Sequence, residues 1–169
     1  MARYRFSQFD EDLIIQELWG NRGSGRAAEF GARGKRGSNI AALQKEGWFL
    51  QLIDRSINET LRDYVVPGMR REPKPYGSVY FGDCNHQIVH ATVTPENVNE
   101  ILAPNLDLLS IDIDGEDINV WRAITQKPEI IIIESNDGPS DGASLLKMGE
   151  EKGYRFHART GVNYVFVSV

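Results

Sequence analysis

Asp107 to Asp117 reads D-L-L-S-I-D-I-D-G-E-D, and Ile130 to Asp137 reads I-I-I-I-E-S-N-D. Each is an apolar run that stops abruptly at oxygen-bearing residues. Buried parallel strands have this pattern when their C-terminal tips carry chemistry. Side chains two apart on a strand share a face, so Asp112 and Asp114 point one way together, as do Glu134 and Asn136. If the two strands are neighbours, four oxygen ligands converge at one edge of a sheet. That edge is the expected active site.

Outward from this pair, strands and helices alternate. Ser7 to Leu18 reads as a helix capped by Ser7, with acids in its first turn. Arg26 to Ala32 reads as a short strand that breaks into the loop Gly31 to Gly37. A helix from about Asn39 to Glu46 and a strand from Trp48 to Asp54 follow. Gln87 to Val93 is the third expected strand, and Thr94-Pro95-Glu96-Asn97 opens a helix through Leu102. Leu106 to Ile113 and Glu129 to Glu134 are strands four and five, with helices at Ile118 to Ile124 and Gly142 to Lys152. Gly153 to His157 and Asn163 to Val169 close the count at seven. The pattern predicts a doubly wound, Rossmann-like α/β sheet, mostly parallel, with an antiparallel closing strand. Val65 to Gly82, with Pro67, Pro73 and Pro75 among charges, reads as an exposed flexible insert.

Length and composition set the frame. A chain of 169 residues predicts one domain over 1–169, and its 41% hydrophobic and 25% charged residues are ordinary for a globular protein. The net charge of -5 argues against nonspecific binding to nucleic acid. One cysteine, Cys84, excludes an internal disulfide framework and a multi-cysteine zinc site. There is no apolar run of membrane-spanning length and no signal-peptide pattern, so the expected location is the cytoplasm, with no membrane partner.

The string Glu29-Phe-Gly31-Ala32-Arg33-Gly34-Lys35-Arg36-Gly37 lies between a strand and a helix, where glycines let backbone approach a ligand. Asp54 ends the next strand, where an acid can accept both hydroxyls of a ribose. The two features together point to an adenosine-containing cofactor. The spacing G-x-x-G-x-x-G departs from the dinucleotide fingerprint and argues against NAD. An ordinary βα turn followed by a chance Asp would leave the same string.

Taken in order, these motifs resemble the FkbM-like class I methyltransferases. The resemblance rests on Ser7-Gln8 with Glu11-Asp12, Glu29-Phe30-Gly31-Ala32, Ser38-Asn39, Gly47-Trp48, Leu52-Ile53-Asp54, Thr94 to Asn97, Ser110 to Asp117, and Glu134 with Asn136. It covers nearly the whole chain outside the insert. It implies class I methyltransferase architecture and S-adenosylmethionine (SAM) as cofactor. Glu29 and Gly31 would line the methionine half, with Ala32, Asn39 and Asp112 also at the cofactor. Asp54 would hold the ribose, and Thr92, Val93 and Thr94 would border the adenine. Relatives carry an acidic Asp-Gly pair in the glycine loop; here Arg33, Lys35 and Arg36 stand instead. Cations beside a sulfonium are favourable only when they face solvent or an anion.

The oxygen cluster has three readings. Asp112 or Asp114 with Glu134 and Asn136 would suit Mg²⁺, a hard cation that activates a hydroxyl. A carboxylate whose pKa is raised by its neighbours would accept the proton directly. Or Asp114 and Asp117 merely cap the following helix. His157, near the end of a late strand, is a further candidate base; His86 and His90 fit sheet positions. Arg70, Arg71 and Lys74 would form one cationic rim with Arg33, Lys35 and Arg36 if the two segments meet, favouring an anionic acceptor.

The expected function is SAM-dependent methyl transfer to a hydroxyl of a sugar, glycan or secondary metabolite. Two alternatives stay open: a non-catalytic module binding SAM or a nucleotide, and an enzyme acting on a phosphorylated nucleotide.

Overall fold

The computed structural model describes residues 7, 9–32, 34–64, 68–81, 85–135 and 139–169. Five parallel strands form the centre of one sheet: β1 (Arg26–Phe30), β2 (Phe49–Asp54), β5 (His86–His90), β6 (Leu108–Ile111) and β7 (Ile130–Glu134). Their spatial order is β5-β2-β1-β6-β7. β1 pairs with β2 on one side and β6 on the other, so strand order reverses between β1 and β6. Ligands bind open α/β sheets at such a reversal, outside the strand tips. The predicted neighbours β6 and β7 do pair in parallel, Leu108 to Ile111 against Ile130 to Ile133.

The sheet has nine strands, not seven. The two extra ones, β3 (Arg70–Lys74) and β4 (Gly77–Phe81), come from the segment expected to be a flexible insert. They form an antiparallel hairpin, and β4 adds antiparallel to β5. Gly77 opens β4 directly after the turn at Pro75 and Tyr76; its φ is 151°, and a Cβ there would overlap the His90 carbonyl oxygen at the end of β5. Residues 65–67 and 82 of that segment lie outside the described residues. At the other edge, β9 (Asn163–Ser168) runs antiparallel to β7, and β8 (Tyr154–Thr160) antiparallel to β9.

Both faces of the sheet are covered. One face packs α3 (Val98–Ile101), α4 (Asp117–Ala123) and α5 (Pro139–Glu151) around Trp121, Leu109, Ile131 and Phe166. The other carries α1 (Glu11–Trp19), a 3-10 helix (Ala41–Glu46) and α2 (Asn58–Tyr64) over Trp48, Leu50, Leu52 and Ile132. Fully buried strands with apolar residues on both faces are why the runs read as continuous rather than alternating. The expected helix at 39–46 is thus a tighter 3-10 turn, and α2 has no counterpart in the sequence reading. No helix among the described residues is long and apolar enough to cross a membrane.

Candidate functional site

The strand reversal creates the site. Gly31, just past β1, has φ 77°, and a Cβ on it would overlap the Asp112 carbonyl oxygen. Only glycine lets the tips of β1 and β6 meet this closely. The backbone N–H groups of Gly31 and Ala32 both donate to the Ile53 carbonyl, at 2.9 and 3.2 Å, drawing the β2 tip into the same place. The Thr60 hydroxyl donates to the Ala32 carbonyl and fixes the loop from below.

Two cavities open on either side of this contact. The first, about 200 Å³, has Asp54, Ile53, Ala91, Thr92, Val93 and Ile113 among its walls. The second, about 240 Å³, is lined by Glu29, Gly31, Arg36, Asp112, Asp114 and Glu134, among others. Gly31, Asp112 and Asp114 line both, so the two form one bipartite cleft. Its first half is mainly apolar and its second mainly charged.

The charges in the second half are strongly coupled. Asp112, Asp114 and Glu134 each offer an oxygen within 4.8 Å of the others. Asp112 is half-buried; burial and then its hydrogen bond to Glu134 push its carboxyl up to about 8. The raised value keeps Asp112 largely protonated near neutral pH. Glu29 is 4% exposed, and burial pushes its carboxyl up to about 7. Its oxygens accept from the Ser38 hydroxyl at 2.5 Å and the Asn39 N–H at 2.7 Å. Asp114 sits in the left-handed region at φ 58°, with an exposed ion pair to Arg55 at 3.9 Å.

The sequence-predicted residues sort clearly. Gly31, Ala32, Asp54, Thr92, Val93, Asp112, Asp114, Glu29 and Glu134 all line the cleft. The Oδ1 of Asp54 accepts from the Ser56 N–H at 2.6 Å, which holds the carboxylate at the cavity wall. The Asn39 side chain instead donates to the Ser110 hydroxyl at 3.0 Å and ties the loop to β6. His157 lies at a β-bulge in the middle of β8 and lines neither cavity. It is not brought to the carboxylates, because β8 is the outermost strand. Asn136 falls outside the described residues. The N-cap of α4 is Glu116, and Asp117 reaches back, accepting from Ile113 and Gly115 N–H groups at 2.9 and 3.0 Å. Burial pushes the Asp117 carboxyl up despite those bonds.

The two basic segments are engaged separately. Lys74 pairs with Glu72 at 2.8 Å and Arg71 binds the Ser78 hydroxyl, both within the hairpin. Lys35 lies 4.9 Å over the Tyr64 ring, and only Arg36 of the described loop cations lines the cleft. The expected common rim is therefore not formed among the described residues. Arg36 and Arg55 are the site residues the sequence reading did not single out individually, since a cation in a loop carries no periodic signal.

No protein-family model matches the chain, and no curated protein does. Solved structures do. A protein of Pyrococcus horikoshii described as an RNA methyltransferase superposes with TM-score 0.62 at 10% identity, covering 99% of this chain and 89% of its own. A protein of Staphylococcus aureus described as a caffeoyl-CoA O-methyltransferase gives 0.61 at 12%, covering 100% and 86%. A TehB-like SAM-dependent methyltransferase of Corynebacterium glutamicum gives 0.59 at 13%, covering 96% and 89%. At such identities the likeness is one of fold, and the chain has the class I, Rossmann-like methyltransferase fold.

Proposed function

We propose that this protein is a SAM-dependent methyltransferase of the FkbM-like type, acting on a hydroxyl group. The observation that carries the reading is the bipartite cleft at the strand reversal. Its apolar half, with Asp54 at the wall, suits an adenosine: the carboxylate accepts from ribose hydroxyls, and Thr92 and Val93 border the base. Its charged half begins where Gly31, lacking a Cβ, lets the tips of β1 and β6 close on each other, and the polar volume beyond that contact suits the amino-acid end of the cofactor. Neighbours in structure that carry methyl-transfer names support the same activity, and one of them supports oxygen as the acceptor atom.

SAM supplies an electrophilic methyl group; the chain's residues orient it and handle the proton. Held with its sulfonium end toward Asp112 and Glu134, SAM would offer its methyl carbon to the acceptor oxygen, the thioether being the leaving group. The hydroxyl proton passes to a carboxylate oxygen of the acidic cluster, for which Glu134 at the β7 tip is placed. A small-molecule or glycan acceptor would enter over the exposed Asp114. Asp112, Asp114 and Glu134 also form a hard oxygen set that would hold Mg²⁺, which would add Lewis acidity at the acceptor oxygen.

Calorimetric titration tests the cofactor placement. SAM is expected to bind the wild-type chain, and Asp54→Ala to weaken binding by roughly 1.5–3 kcal/mol through loss of a charged acceptor. Binding of ATP or NAD in preference to SAM, or an unchanged affinity in a folded Asp54→Ala variant, would overturn it.

A further inference from the structure

The charged half of the cleft carries opposite signs on one small volume. Asp112, Asp114 and Glu134 line it, and so does Arg36. Each acid there already has company. Glu29 is held by Ser38 and Asn39, Asp112 by Glu134, and Asp114 has Arg55 within 3.9 Å. Arg36 differs: among the described residues no carboxylate pairs with it, although it lines a cavity rich in carboxylates. Its neighbour Lys35 is turned away onto Tyr64. Among the described residues of the loop, Arg36 is the cation that lines the cavity.

We infer that Arg36 holds the carboxylate of the amino-acid end of the cofactor, making this half of the cleft a receptor for an α-amino-acid zwitterion. The inference rests on the SAM reading above and deepens it. An α-amino acid carries a cation and an anion on one carbon, so it requires both signs within one small cavity. The acidic wall supplies the partner for the ammonium, and Arg36 supplies the fork that a carboxylate accepts in bidentate fashion. This also accounts for a cationic loop beside a sulfonium: the guanidinium is neutralised by the ligand's own carboxylate rather than left facing the methyl group. Arg36 is an exposed residue, so its contribution is partly screened and should fall with salt.

The test compares two nucleosides by calorimetry on the full chain. S-adenosylhomocysteine carries the amino-acid end; 5′-methylthioadenosine lacks it. Wild-type protein is expected to prefer S-adenosylhomocysteine. Arg36→Gln should weaken that ligand by roughly tenfold or more, as loss of a charge-assisted pair does, while methylthioadenosine keeps its affinity. Arg36→Lys should restore part of the loss, and the salt dependence seen with S-adenosylhomocysteine should flatten in Arg36→Gln. If Arg36→Gln weakens both ligands equally, or neither, Arg36 does not hold the carboxylate, and the cofactor reading stands without it. If neither nucleoside binds the wild-type protein, the cofactor reading falls and this inference falls with it.

Discussion

Asp112 and Glu29 are acids that the fold keeps protonated far above the usual carboxylate range, at about 8 and about 7. The sign of the consequence follows from proton counting. In the unfolded chain both are ionised above pH 5, whereas the folded chain still holds protons, so the native state binds more protons than the unfolded one. Stability is then fully present at low pH and is lost as pH rises through the folded values. Urea unfolding should show stability falling between pH 5 and pH 8. Asp112→Asn, which keeps the shape and removes the titration, should flatten part of that slope. At pH 8 it should gain on the order of 1 kcal/mol, after discounting for the solvent that reaches this half-buried group. An identical slope in the variant would mean that Asp112 does not carry a proton into this pH range. Much of this site was legible in the sequence, because two-residue spacing on a strand fixes a shared face without knowledge of anything else. Asn39 and His157 were not, since their roles depend on which partner the folded chain brings near: a Ser110 hydroxyl for one, an outer strand for the other.

At the scale of elements, strands that bury both faces announce themselves as apolar runs, and β1, β2, β5, β6, β7 and β9 were all readable for that reason. β3 buries nothing: Arg70 to Lys74 are exposed throughout, and Pro73 is tolerated because one side of an edge strand needs no donor. Charges and proline on an edge also deter pairing with another chain. The features that made the segment look like a loop are those of a protected edge. In α2, which the sequence reading also missed, Thr60 and Tyr64 are buried among the side chains described, a spacing too short to give a clear apolar stripe. The hairpin makes a definite prediction for hydrogen exchange. β4 lies between two strands and buries Val79, so its amides should exchange much more slowly than those of β3. Uniformly fast exchange from Arg70 through Phe81 would instead show that the segment is a loop in solution.

Across the whole molecule, one buried acid joins the two ends of the chain. Glu11, at the start of α1, has no solvent exposure. Its Oε1 accepts from the Thr160 hydroxyl at 2.6 Å and the Asn163 amide at 2.8 Å, and its Oε2 from the Phe9 N–H at 3.0 Å. α1 lies on one face of the sheet, and Thr160 and Asn163 belong to its last two strands. The first helix is thereby fastened to the closing hairpin, across nearly the full length of sequence. Such a long-range tie should make unfolding cooperative, with Trp48 on one face and Trp121 on the other losing their environments together. Glu11→Ala would leave the Thr160 and Asn163 donors buried without an acceptor, at a cost of roughly 2–3 kcal/mol. For a chain of this size that lowers the melting temperature by about 5–10 °C. Glu11→Gln retains a carbonyl oxygen that can accept both bonds, so it should lose distinctly less. Calorimetry on the two variants separates the outcomes: equal losses would assign the effect to the charge, and a wild-type melting temperature for Glu11→Ala would mean that α1 is held by its apolar contacts alone. The ordering alanine well below glutamine, with glutamine close to the wild type, follows only if the hydrogen bonds themselves close the molecule.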